Sequence, residues 1–133
     1  MERKLTIDDE DSIVNARQLA RTVAKDLGFG VVDQARIATA VSELARNVIR
    51  YARPRHGEVL IRDVTQDQRS GLEIQVSDQG PGIADVTQVL KDGFTTGTGL
   101  GMGLPGTKRL MDEMSIESTV GSGTTVIIRK WRR

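Results

Sequence analysis

The apolar positions in the first half of the chain fall into two helical stripes. Ile13, Ala16, Ala20, Val23 and Leu27 recur at steps of three and four residues, the spacing that keeps one face of an α-helix on a core. Asp8 to Ser12 supply capping oxygens ahead of this stripe, and Gly28 and Gly30 supply its stop. Before it, Leu5 and Ile7 alternate with polar neighbours and predict a short first strand. A second helix is predicted from about Val32 to Tyr51, with Ile37, Val41, Leu44 and Val48 as its apolar stripe.

After Pro54 and Gly57 the period drops to two. VLIRDV from Val59 to Val64 and LEIQVSD from Leu72 to Asp78 read as strands, with a polar turn through Gln66 to Gly71 between them. Ile83 to Leu90 predicts a short helix. A glycine-rich stretch follows, and then Leu104, Leu110, Met111 and Met114 are spaced for one face of a further short helix, with Pro105 tolerable in its first turn. Met114 to Thr119 and Thr124 to Trp131 read as the last two strands, joined by a turn at Gly121 to Gly123.

Three departures from plain patterning carry candidate chemistry. Glu43, Asn47 and Arg50 repeat the helical step one position from the apolar stripe, so a carboxylate, an amide and a guanidinium line one ridge beside it. Taken alone, such a ridge also fits an exposed polar face. Asp78 shares its strand face with Leu72, Ile74 and Val76. A carboxylate aimed at a core needs hydrogen-bond donors, which the exocyclic amine of a purine provides, although a turn-capping aspartate fits the same position. Thr124 shares a face with Val126 and Ile128, which aims its hydroxyl at the same pocket. The third departure is GFTTGTGLGMGLPG, Gly93 to Gly106, which holds six of the fourteen glycines. Glycine is a poor builder of helices and strands, but it frees backbone N–H groups to turn together towards a phosphate, here just ahead of a helix N-terminus.

Composition narrows the setting. A chain of 133 residues fits one domain, residues 1–133, burying roughly two-thirds of its unfolded surface. With 38% hydrophobic and 28% charged residues it lies in the globular range, and the 3% aromatic share requires an aliphatic core. The absence of cysteine rules out disulfides, thiolate zinc sites and a cysteine nucleophile, and it fits a reducing cytoplasm. No signal core or membrane-spanning run occurs, so no membrane association is expected. A net charge of +1 argues against nucleic acid as a partner. Arg129, Lys130, Arg132 and Arg133 make a basic C-terminus, expected to be solvated.

Together ELARN (Glu43 to Asn47), DQGPG (Asp78 to Gly82), GTGLGMG (Gly97 to Gly103) and GSGT (Gly121 to Thr124) resemble the N, G1, G2 and G3 boxes of the GHKL ATP-binding superfamily of gyrase, Hsp90, histidine kinases and MutL. Spacing and size are similar to the serine kinases of bacterial sigma-factor control, and SELARN, VDQARI, DQGPGI, LPGTKRLMDE and the terminal KW resemble the switch serine kinases of the stressosome. The resemblance implies an α+β Bergerat fold, a mixed sheet with helices layered on one face and a glycine-rich ATP lid. It implies ATP and Mg²⁺ as cofactors, with Asn47 on the metal. Asp78 would receive the adenine amine, supported by Thr124 through water, with Gly80 and Gly82 flanking the base. Gly97, Thr98, Gly99, Leu100, Gly101, Met102 and Gly103 would wrap the triphosphate, and Arg50 would reach a phosphate oxygen. Glu43 matches the general base that takes a proton from the attacking hydroxyl. One departure stands out: where anti-sigma kinases carry an arginine shortly before the GMG, this chain has Thr98, Gly99 and Leu100. Arg46, Arg50 and Lys108 are then the candidates for positive charge at the γ-phosphate.

The resemblance further implies that the substrates are STAS-domain stressosome proteins and that the released kinase activates a PP2C-type phosphatase by binding it. Two other functions fit the same residues: an anti-sigma factor with antagonist kinase activity, and a nucleotide-gated binding module without catalysis. Other nucleotide signatures fail. There is no GxxxxGK[ST], HRD or DFG, and the GxGxxG at Gly101, Gly103 and Gly106 follows no apolar strand. The lone histidine, His56, sits in a Pro and Gly loop without a dimerisation helix, which argues against autophosphorylation.

Overall fold

The computed structural model describes residues 1–52, 54, 56–80 and 104–133. In chain order these form β1 (Glu2–Ile7), α1 (Glu10–Asp26), α2 (Val31–Tyr51), β2 (Gly57–Gln66), β3 (Arg69–Asp78), α3 (Leu104–Leu110), β4 (Glu113–Thr119) and β5 (Gly123–Trp131). The helix expected at Ile83 to Leu90 lies outside the described residues.

Local chemistry sets the helix ends where the stripes predict them. Asp9 caps α1 by accepting from the Ser12 N–H at 2.9 Å, and Gly28, at φ +90°, ends it. Ile13, Ala16, Ala20 and Val23 are buried, while Leu27, at the C-cap, is half-buried. On α2 all four predicted stripe residues are buried, at 2% exposure or less. They join Val59, Ile61, Leu72, Ile74, Val76, Val126 and Ile128 from the sheet in one aliphatic core, so the helices cover one face of the sheet.

The five strands lie in the order β1-β2-β3-β5-β4. Every described pairing is antiparallel, which corrects the expectation of a mixed sheet. The reason is a long-range pairing: β5 folds back on β4 at the Gly121 to Gly123 turn and takes the place beside β3, so the strand that follows the crossover never pairs with β3. Two boundaries also move. The β2–β3 turn tightens to Asp67 and Gln68, both at positive φ (51° and 66°), because a two-residue hairpin of that hand matches the strand twist. The helical stripe expected to run on through Met111 and Met114 ends at Leu110, and Met114 belongs instead to the strand also expected from Met114 to Thr119, where it pairs with Ile128.

The basic C-terminus is only partly solvated: Arg132 and Arg133 are exposed, as expected, but Lys130 is not. Lys130 is 5% exposed and donates from Nζ to the Leu110 carbonyl at 3.0 Å, with Asp112 at 3.7 Å and Asp33 at 3.8 Å. Arg132 donates to the Leu27 carbonyl and Arg133 to Asp112. The period of two explains this, since Lys130 follows Val126 and Ile128 onto the core face, and buried charge demands partners. On the opposite face Arg129 and Arg62 flank Glu73, which is 1% exposed. Burial alone would raise the Glu73 pKa, but hydrogen bonds from Arg62, Arg129 and Gln75 outweigh it and hold the carboxyl below its ordinary value.

Lys130 thus ties the end of α3 to β5 and to the first turn of α2. Replacing Lys130 by Met should lower the unfolding free energy by about 2 kcal/mol, the worth of a charge-assisted hydrogen bond. Urea denaturation measures this, and an unchanged midpoint would show that the strut carries no load.

Candidate functional site

The site assembles from α2, the end of β3 and the start of β5. Asp78 and Thr124 are direct cross-strand partners, which puts their side chains on one face of the sheet. Asp78 is half-buried, and its Oδ1 accepts from the Gly80 N–H at 2.7 Å. Asp78 therefore caps the turn, as one reading of the sequence expected, while its second oxygen belongs to the half-buried end of the strand. Burial pushes its carboxyl above the ordinary value, against the opposing pull of backbone N–H bonds from Gly80 and Thr124.

Two glycines permit this arrangement. A Cβ on Gly80 would lie 2.8 Å from the Ala52 Cα, so the turn after β3 rests directly on the C-cap of α2. Gly123, at φ +100°, lies against the Asp78 carbonyl, where a Cβ would collide with that oxygen. The Thr124 hydroxyl is 3.0 Å from the Ser118 hydroxyl, which also lies 3.1 Å from the Gly123 carbonyl. Ser118 was not among the expected residues, yet its place two residues after Ile116 and four after Met114 signals the same face.

The ridge on α2 points back along the helix from that turn. Five residues separate Asn47 from Ala52 and nine separate Glu43 from it, about 7 Å and about 13 Å of axis at the α-helical rise. Glu43 and Asn47 are half-buried, whereas Arg50 is exposed. Glu43 is engaged: its Oε1 accepts from Arg46 Nη1 at 2.6 Å. α2 also packs against α3, the helix that follows the glycine-rich stretch. Gly82 and the segment Gly97, Thr98, Gly99, Leu100, Gly101, Met102 and Gly103 lie outside the described residues.

Among the described residues no group of three His, Cys, Asp or Glu side chains converges as a metal cage. Asn47 offers a single hard oxygen instead. That donor set suits a Mg²⁺ ion held mainly by phosphates and water, the usual manner for that cation.

The chain matches the family described as Histidine kinase-like ATPase domain over residues 7–130. It is 56% identical to the Serine/threonine-protein kinase RsbT of Bacillus subtilis (strain 168), across 93% of this chain and 92% of that protein. It is 36% identical to the Anti-sigma F factor of Caldanaerobacter subterraneus subsp. tengcongensis, across 87% of this chain and 82% of that one. Among solved structures, the RsbU and RsbW domains of Rv1364c from Mycobacterium tuberculosis superpose with a TM-score of 0.68 at 20% identity, covering 100% of this chain and 33% of that one. The catalytic domain of histidine kinase ThkA superposes with a TM-score of 0.57 at 16% identity, with 98% of each chain covered. Sequence and fold agree, and the chain belongs to the histidine kinase-like ATPase family.

Proposed function

We propose that the protein is an ATP- and Mg²⁺-dependent serine/threonine kinase of a partner-switching pathway, with STAS-domain stressosome proteins as its substrates. Once released from them it binds and activates a PP2C-type phosphatase. Residues 1–133 act as one kinase domain in the cytoplasm; no described helix is long and apolar enough to cross a membrane. The likeness to a protein named as a serine/threonine kinase supports the activity. The observation that carries the site is the order of groups along α2, with Asp78 and Gly80 at its C-terminal end, then Asn47, then Glu43.

That order matches an extended nucleotide. The adenine amine donates to the Asp78 carboxylate, whose partial desolvation favours an added donor, and the Thr124 hydroxyl supports it through water. Gly80 and Gly82 flank the base. Asn47 would hold the cation, which when bound would offset the charge of the phosphates. Gly97, Thr98, Gly99, Leu100, Gly101, Met102 and Gly103 wrap the triphosphate, with Arg50 reaching a phosphate oxygen. Glu43 then accepts the proton of the substrate hydroxyl as its oxygen bonds the γ-phosphorus, and the bond to the β-phosphate breaks to release ADP. A second reading, an anti-sigma factor that also phosphorylates its antagonist, is favoured by the 36% identity to an Anti-sigma F factor; co-purification with a sigma factor would select it.

Three predictions test these roles. With Mg·ATP and a STAS-domain partner, Glu43→Ala should cut the labelling rate by about 10²-fold, as loss of a general base does; a full rate would remove Glu43 from the chemistry. Asp78→Asn should weaken ATP binding about tenfold or more by calorimetry, through loss of the charged acceptor. Because the folded chain holds the Asp78 proton to higher pH than the unfolded chain, ionising it costs stability, fully so above the raised pKa and not at all well below 3.8. Asp78→Asn should therefore be at least as stable as the wild type at pH 7, with the advantage shrinking on acidification. An advantage that grew as the pH fell would contradict the assignment.

A further inference from the structure

Glu43 and Arg46 form an ion pair one helical step apart, at 2.6 Å, with side chains 36% and 33% exposed. A pair so open to water adds little to stability, so the fold does not explain why it is made. α2 carries a second pair of the same spacing, Asp33 and Arg36 at 3.0 Å, but there the carboxylate also faces Lys130 and helps to tie the elements together. Glu43 has Arg46 as its partner among the described residues, and the contact engages Oε1. The second oxygen, Oε2, makes no hydrogen bond to a described residue.

We propose that Arg46 is a positioning residue for phosphoryl transfer: it holds the Glu43 carboxylate by one oxygen and leaves the other to meet the substrate hydroxyl. The proposal rests on Glu43 being the general base. A glutamate carboxylate turns about three side-chain bonds, and an unrestrained one spends most of its time away from the reacting hydroxyl. Base catalysis requires hydrogen-bond reach, and a misplacement of about 1 Å is enough to cost a large rate factor. Arginine suits the task better than lysine, because its planar fork fixes direction as well as distance. Arg50 does not serve instead, since it lies seven residues from Glu43, about 10 Å along the axis, and is exposed.

Initial rates with Mg·ATP and a purified STAS-domain protein, on Arg46→Ala, Arg46→Lys, Glu43→Ala and the double variant, test the pair as a double-mutant cycle. Arg46→Ala should lower kcat by about tenfold, leave the KM for ATP within about twofold and leave the thermal midpoint in place. Arg46→Lys should recover part of the loss. In the Glu43→Ala background, removing Arg46 should cost nothing more, because its effect passes through the missing carboxylate. A slow Glu43→Ala beside a fully active Arg46→Ala would overturn the positioning role alone. So would an equal loss in the Glu43→Ala background, which would place Arg46 on the phosphates independently. A fully active Glu43→Ala would instead sink the base assignment itself.

Discussion

Burying a carboxylate is costly unless donors replace the water it loses, and half-buried Asp78, at the end of β3, is a point where this chain takes on that cost. Its donors are backbone N–H groups from Gly80 and Thr124, yet burial still keeps the carboxyl above its ordinary value. The protein's own groups therefore leave this acceptor incompletely compensated. Much of the surrounding geometry serves to hold that acceptor in place. β5 pairs with β3 to set Thr124 opposite Asp78, and glycines at 80 and 123 allow the backbone to close around it.

The remainder of the fold relates that acceptor to α2. The turn at Gly80 rests on Ala52, at the C-cap of α2, so the helix axis becomes a ruler leading from Asp78 towards Asn47 and Glu43. Lys130 acts at the other end of the same framework, where it joins the last carbonyl of α3 and Asp112 to the first turn of α2. Buried charge thus recurs as a fastener in this molecule. Glu73, between Arg62 and Arg129, does the same on the far face of the sheet, which none of the described helices covers.

Much of this was legible in the residues. The α1 and α2 stripes appear because helical burial imposes a step that the sequence must repeat, and Asp78 and Thr124 met because strand alternation does the same. What escaped was non-local. Nothing in β4 or β5 taken alone says that β5 will lie between β3 and β4, so the antiparallel order was missed. The hairpin turn at Asp67 and Gln68 was drawn too wide because neither residue is glycine, although both take positive φ. Lys130 was misread for another reason. Charge at a terminus suggests solvent, but two residues after Ile128 and four after Val126 it had to point inward. The roles of the residues between Gly82 and Gly103 rest on the resemblance and the motif, since they fall outside the described part.

A crystal structure with Mg²⁺ and a non-hydrolysable ATP analogue tests the central claim most directly. The account predicts the adenine amine within hydrogen-bond distance of Asp78, the phosphates running along α2 past Asn47, and the terminal phosphate beside Glu43. A base seated away from Asp78, or phosphates on the face of the sheet that carries Glu73, would contradict it.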